Sequence, residues 1–152
     1  MKRFLFGLSA ILTSGFIWAA APSQPAQALC ARPLEMGEWI NRNSNTRSIT
    51  RANIGFVCQD VILNGQRPTA PPYSIELFGS CSPTDCEWEE VGARRLPVDE
   101  GRWLRTTLDQ GFAKRTIWVK AYSEDSLRVW IWTDFSDPNR EDYASNDWFV
   151  RR

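Results

Sequence analysis

The stretch TIWVKAY-SED-SLRVWIW, residues 116–132, limits the folds open to this chain more than any other segment. Two runs dense in β-branched and aromatic residues flank Ser123-Glu124-Asp125, which is turn-forming chemistry, so the stretch reads as a β-hairpin. Alternate residues of a strand share a face. With Tyr122 set opposite Ser126, Trp118 opposes Trp130, Val119 opposes Val129 and Ile117 opposes Ile131. One face is then aliphatic and the other aromatic, and a slip of two residues leaves that division intact. Both faces are apolar enough to need cover, which an isolated hairpin cannot supply.

The cover must come from more strands. WLRTTL (103–108) and FAKRTIWV (112–119) flank Asp109-Gln110-Gly111, a three-residue hairpin loop with glycine where positive φ is usual. Further strand-like segments are GEWINRN (37–43), NIGFVCQDVIL (53–63, ending at Asn64-Gly65), YSIELFG (73–79), CEWEEVGARRL (86–96) and NDWFV (146–150). No stretch after Ala28 sustains the three-and-four spacing of a helix. About eight short strands at hairpin spacing predict an all-β fold, an antiparallel meander closed into a small barrel, with a two-sheet sandwich as the alternative. Closure also removes the open edge of a flat meander.

Residues 1–28 read as a secretory signal peptide. Lys2 and Arg3 precede an apolar run from Phe4 to about Ala21, and Pro22, Pro25 and the Ala26-Gln27-Ala28 site follow without a positive stop-transfer flank. Gln27-Ala28-Leu29 lacks the small residue expected just before a lipidated Cys30. Residues 29–152 then form one domain, exported to the periplasm or the extracellular space, and not held at a membrane once the peptide is cleaved. This segment has two more acidic than basic residues, with the charges mixed along its length. It therefore lacks the footprint of a nucleic-acid binder or a polybasic membrane patch.

The chain contains no histidine. Ser-His-Asp and Cys-His triads and all His-containing zinc sites are thereby excluded. Four cysteines in an exported chain most simply make two disulfides. Of the three pairings, Cys81–Cys86 with Cys30–Cys58 is preferred, because one bridge is local and the other ties a loose N-terminus to the sheet. A metal knuckle would need all four thiolates to converge without the short paired spacings of zinc ribbons.

GEWINRNSNTRSITR (37–51), FGSCSPTDCEW (78–88), DQGF (109–112) and FSDPNREDY (135–143) closing on WFVR (148–151) occur in that order. The series resembles a widespread, functionally uncharacterised family of small secreted bacterial β-proteins, with a W-x-N start, a C-x-P-x-x-C-[DE]-W centre and an F-x-D...R-x-D-Y end. Glu89 departs from that pattern, in which glycine commonly follows the tryptophan. The G-x-W-x-N opening is also similar to the first strand of lipocalin-like and avidin-like barrels, which implies that Trp39 packs at a barrel base.

Candidate sites follow from these segments. Trp118, Trp130 and Trp132 share one hairpin face with Tyr122, Lys120 and Arg128, a platform on which a glycan or a small apolar ligand can stack, although such residues also serve as packing. Ser82, Pro83, Thr84 and Asp85 form a cysteine-closed loop suited to docking on a protein partner or a secreted peptidase. Asp137, Asn139, Glu141 and Asp142 present alternate oxygen ligands, a weak calcium pattern that lacks the EF-hand glycine; the bland alternative is a turn held by Arg140 paired with Asp137 or Asp142. Glu87, Glu89 and Glu90 form a small acidic cluster beside the cysteine loop; two carboxylates flanking a bond are the minimum for glycoside hydrolysis, but such a run is more often a solvated strand face. The expectation is a non-enzymatic binding or accessory module with no cofactor and an unidentified ligand or extracytoplasmic partner.

Overall fold

A computed structural model describes residues 30–59, 68–97 and 102–152; the expected signal peptide lies outside the described residues. The strands are β1 (Gly37–Asn41), β2 (Ile49–Phe56), β3 (Tyr73–Gly79), β4 (Cys86–Glu87), β5 (Val91–Arg95), β6 (Leu104–Asp109), β7 (Ala113–Ser123), β8 (Ser126–Phe135) and β9 (Tyr143–Arg151). No helix forms among the described residues. Apart from β4, each strand pairs antiparallel with its successor, β3 with β5, and β1 pairs with both β2 and β9. The result is a closed eight-stranded meander barrel with β4 as an extra strand on the end of β3.

The β7–β8 hairpin has the expected register, Ile117 opposite Ile131, Trp118 opposite Trp130 and Val119 opposite Val129. Its turn differs. Ser123, not Tyr122, stands opposite Ser126, with a register shift between Ala121 and Ser123 that bulges Tyr122 out of the ladder. Such a bulge increases local twist, as barrel closure requires. Gly111 takes φ +76 in the β6–β7 loop, as that turn type demands. The segment expected as one strand over 53–63 begins at Ile49 and leaves the sheet after Phe56, and its residues 60–63 lie outside the described residues. The one expected over 86–96 is split, and Trp88-Glu89-Glu90 leaves the ladder between β4 and β5.

Inward side chains of every barrel strand meet in one core. Trp39, Ile75, Leu104, Ile117, Val119, Leu127, Val129, Ile131 and Phe149 are essentially inaccessible, so the middle of the barrel is packed solid. The aliphatic side of the hairpin faces this core and the aromatic side faces out.

One end of the barrel is closed. Trp39 lies across it and donates from Nε1 to the Glu35 carbonyl at 2.8 Å. The Arg151 guanidinium covers the indole with its central carbon 4.2 Å from the ring centroid, and donates to the carbonyls of Leu34, Met36 and Glu124 at 2.6–2.7 Å. Gly37 is needed where this arginine passes. Its φ is +135, and a Cβ there would lie 2.5 Å from Nη1. Glu35, 4% exposed, pairs with Arg95 at 3.0 Å, and Arg95 also donates to the Tyr73 hydroxyl at 2.8 Å. Desolvation alone would lower the Arg95 pKa; the hydrogen bonds to Glu35 and Tyr73 outweigh it and hold the guanidinium above its ordinary value.

Candidate functional site

Because β7 and β8 send their aliphatic residues inward, their tryptophans stand on the outer wall. Trp118 and Trp130 meet edge to face, with centroids 4.5 Å apart. Trp132 lies on the same wall nearer the open end, opposite Thr116 and Ala144, and is 40% exposed. Tyr122, released by the bulge, rests against Trp148 of β9 at 5.0 Å. Trp148 and Trp103 thus belong to the wall, although reading the hairpin alone did not include them. The parity of β9 carries the signal for Trp148, since buried Phe149 puts its neighbour outside.

Cations fill the spaces between these rings. Lys120 stands opposite Arg128, which stands opposite Trp148. Lys120 lies 5.7 Å from the Trp103 centroid and 5.0 Å from that of Tyr122. Arg128 lies 6.0 Å from Trp103 and 5.7 Å from Trp148. Arg105 covers Trp118 at 5.4 Å, and Arg42 approaches Trp148 at 5.8 Å. These separations place each cation within reach of a ring's negative face. The carboxylates of this wall, Asp109 and Asp134, both stand opposite Lys114 at its far end. Along its edge an open groove of about 670 Å³ runs between Trp148, Tyr122, Arg42, Asn43, Asn146 and Asp147, whose carboxylate accepts the Asn41 side-chain amide at 3.2 Å.

The loop 81–86 projects from the end of β3. Cys81–Cys86 and Cys30–Cys58 are the two disulfides, and none of the four thiols remains to form a metal knuckle. The bridges are consistent with an oxidising compartment. Ser82, Pro83 and Thr84 are exposed, whereas the Asp85 carboxylate accepts the Thr50 hydroxyl at 2.7 Å and pins the loop to β2.

The acidic segment is organised as a turn. Asp137 accepts the backbone and side-chain amides of Asn139 at 2.9 and 3.1 Å, and Asp142 accepts the Phe135 amide at 2.8 Å. Arg140, expected to pair with one of these acids, lies instead over the Phe135 ring at 3.7 Å. Among the described residues no three carboxylates gather as a metal site would require. Glu87, Glu89 and Glu90 are all exposed, an environment unlike the apolar pocket that turns a carboxyl into a general acid.

Arg115 is the side chain that sequence reading missed most fully. It shares strand parity with Ile117 and Val119, points into the open end of the barrel and is 9% exposed. Its Nε donates to Gln110 at 2.7 Å, its Nη1 to Thr133 at 3.1 Å, and its central carbon lies 4.3 Å from the Trp88 centroid.

Compared with family models, curated proteins and solved structures, the chain finds no match.

Proposed function

We propose that this protein is an exported, non-enzymatic binding module that holds an acidic glycan on the outer wall formed by β6–β9. The observation that carries this reading is the interleaving of Arg42, Arg105, Lys120 and Arg128 with Trp103, Trp118, Trp130 and Trp148, while the outward carboxylates Asp109 and Asp134 stand at the Lys114 end and Asp147, at the groove, is engaged by Asn41. Indole faces stack the flat apolar side of a pyranose ring, and the cations between them match carboxylates spaced along a polymer. The open groove beside Trp148 suits an extended chain, not an engulfed small molecule. Export rests on the N-terminal sequence together with the two disulfides.

Titration with polygalacturonate against neutral dextran tests the reading. The acidic polymer is expected to bind, more weakly as salt rises, and dextran to bind little. Trp148→Ala should weaken binding at least about fivefold, the equivalent of about 1 kcal/mol of ring contact, and Arg128→Ala by a similar factor. Equal binding of the two polymers, or full affinity in both variants, would refute it.

A second reading uses the loop at 81–86 as a docking element for a protein partner. It draws support from the loop's exposed, ring-closed tip and its anchoring through Asp85. On this reading, alanine at Pro83 and Thr84 abolishes capture of an extracytoplasmic partner and leaves polygalacturonate binding intact.

A further inference from the structure

We propose that the open end of the barrel is a second, separate binding site, for a small organic carboxylate with an apolar body, and that Arg115 receives the carboxylate. A cavity of about 390 Å³ opens there, within the range of small-molecule sites, about 300–1,000 Å³. Its walls combine apolar Ile131 and Phe112 with Trp88, Ser145 and the buried Arg115.

A guanidinium stays charged at every relevant pH, and placing it at 9% exposure without a counter-ion is unfavourable. The two ion pairs among the described residues are Arg95–Glu35 and Arg152–Glu38, so neither involves Arg115. Glu87, the one carboxylate along the cavity wall, is exposed and leaves Arg115 unpaired. Gln110 and Thr133 are neutral. They orient the fork through Nε and Nη1 without balancing its charge. Among the described residues Nη2 has no hydrogen-bond acceptor, so one donor edge is left for a ligand.

Arg115 is the buried cation of this cavity, whereas Arg47 and Glu87, which also line it, are exposed and opposite in charge. The buried charge to be matched is therefore single, which favours a monocarboxylate over a dianionic phosphate. Trp88 and Phe112 beside the fork provide surface for the apolar body of the acid.

Calorimetric titration of the protein with benzoate, benzamide and inorganic phosphate tests this. Benzoate is expected to bind at least about tenfold more tightly than benzamide, the measure of one charge-assisted hydrogen bond, and more tightly than phosphate. Arg115→Met, which keeps the apolar stem, should lose the preference for benzoate over benzamide. Should that variant not fold, Ser80→Trp supplies the test, because Ser80 is exposed at the cavity rim. It is expected to block benzoate while leaving the thermal midpoint and polygalacturonate binding unchanged. Absence of benzoate binding, equal affinity for benzamide, tighter binding of phosphate, or wild-type benzoate affinity in whichever of these variants folds would each overturn the proposal.

Discussion

Replacing Trp39 by alanine is expected to remove about 3–5 kcal/mol of stability, the usual cost of truncating a large buried aromatic. The residue is wholly inaccessible, and its ring forms the floor on which Arg151 lies. Its removal opens a cavity beneath a guanidinium whose other contacts are the carbonyls of Leu34, Met36 and Glu124. That floor cannot collapse easily, because the carbonyls hold Arg151 from above. Urea denaturation followed by circular dichroism should show the midpoint falling by roughly 1–5 M, given slopes of about 1–3 kcal/mol/M. Trp39→Phe preserves most of the packing and deletes the bond from Nε1 to the Glu35 carbonyl, so it should cost only about 1 kcal/mol. A loss below about 1 kcal/mol in the alanine variant would show that the floor is not the keystone described.

The double variant Cys30→Ala, Cys58→Ala should lose about 3–4 kcal/mol, and Cys81→Ala, Cys86→Ala only about 2 kcal/mol, because the entropy restored to the unfolded chain grows with the length of the loop released. The two bridges span 28 and 5 positions. The larger effect also reaches the closed end, since Cys58 anchors the segment that carries Glu35 beneath Arg95. Unfolding midpoints of the two variants should therefore fall in that order. The reverse order would mean that the short ring, with Asp85 bonded to Thr50, contributes to the native state beyond chain entropy.

Much of the architecture can be read from residue alternation, because a closed meander turns period-two patterning directly into inside and outside. The division of residues 116–132 into aliphatic and aromatic faces is the division between core and outer wall. Period two fails where a bulge intervenes. The register shift between Ile49 and Arg51 hides the start of β2, and the shift beyond Ala121 displaces Tyr122 from its expected partner. The candidate site was legible only in part. Trp118, Trp130, Trp132 and Tyr122 share one face as expected, and that face is the outer wall, but Trp103, Trp148 and Arg42 join it through the folding of distant strands. Arg115 escaped because a charged residue on an aliphatic face looks like an interruption, although its parity with Ile117 assigned it inside. The acid-rich turn misled in the opposite sense. Carboxylates at alternate positions resemble a cation cage, and here they cap backbone amides instead.

The pairing of β1 with β9 closes the barrel through Trp39–Asn41 and residues 149–151, extended by backbone bonds from Arg42 to Trp148 and from Arg152 to Glu38. Every other seam joins strands near each other in sequence, whereas this one brings together residues about 110 positions apart. Loop closure over such a span is entropically costly and returns its contacts only at the end. The folding route this implies begins at the long β7–β8 hairpin, spreads to β6 and β9, and leaves the β1–β9 seam to close last. The floor at Trp39 then acts as a latch between the first and last strands.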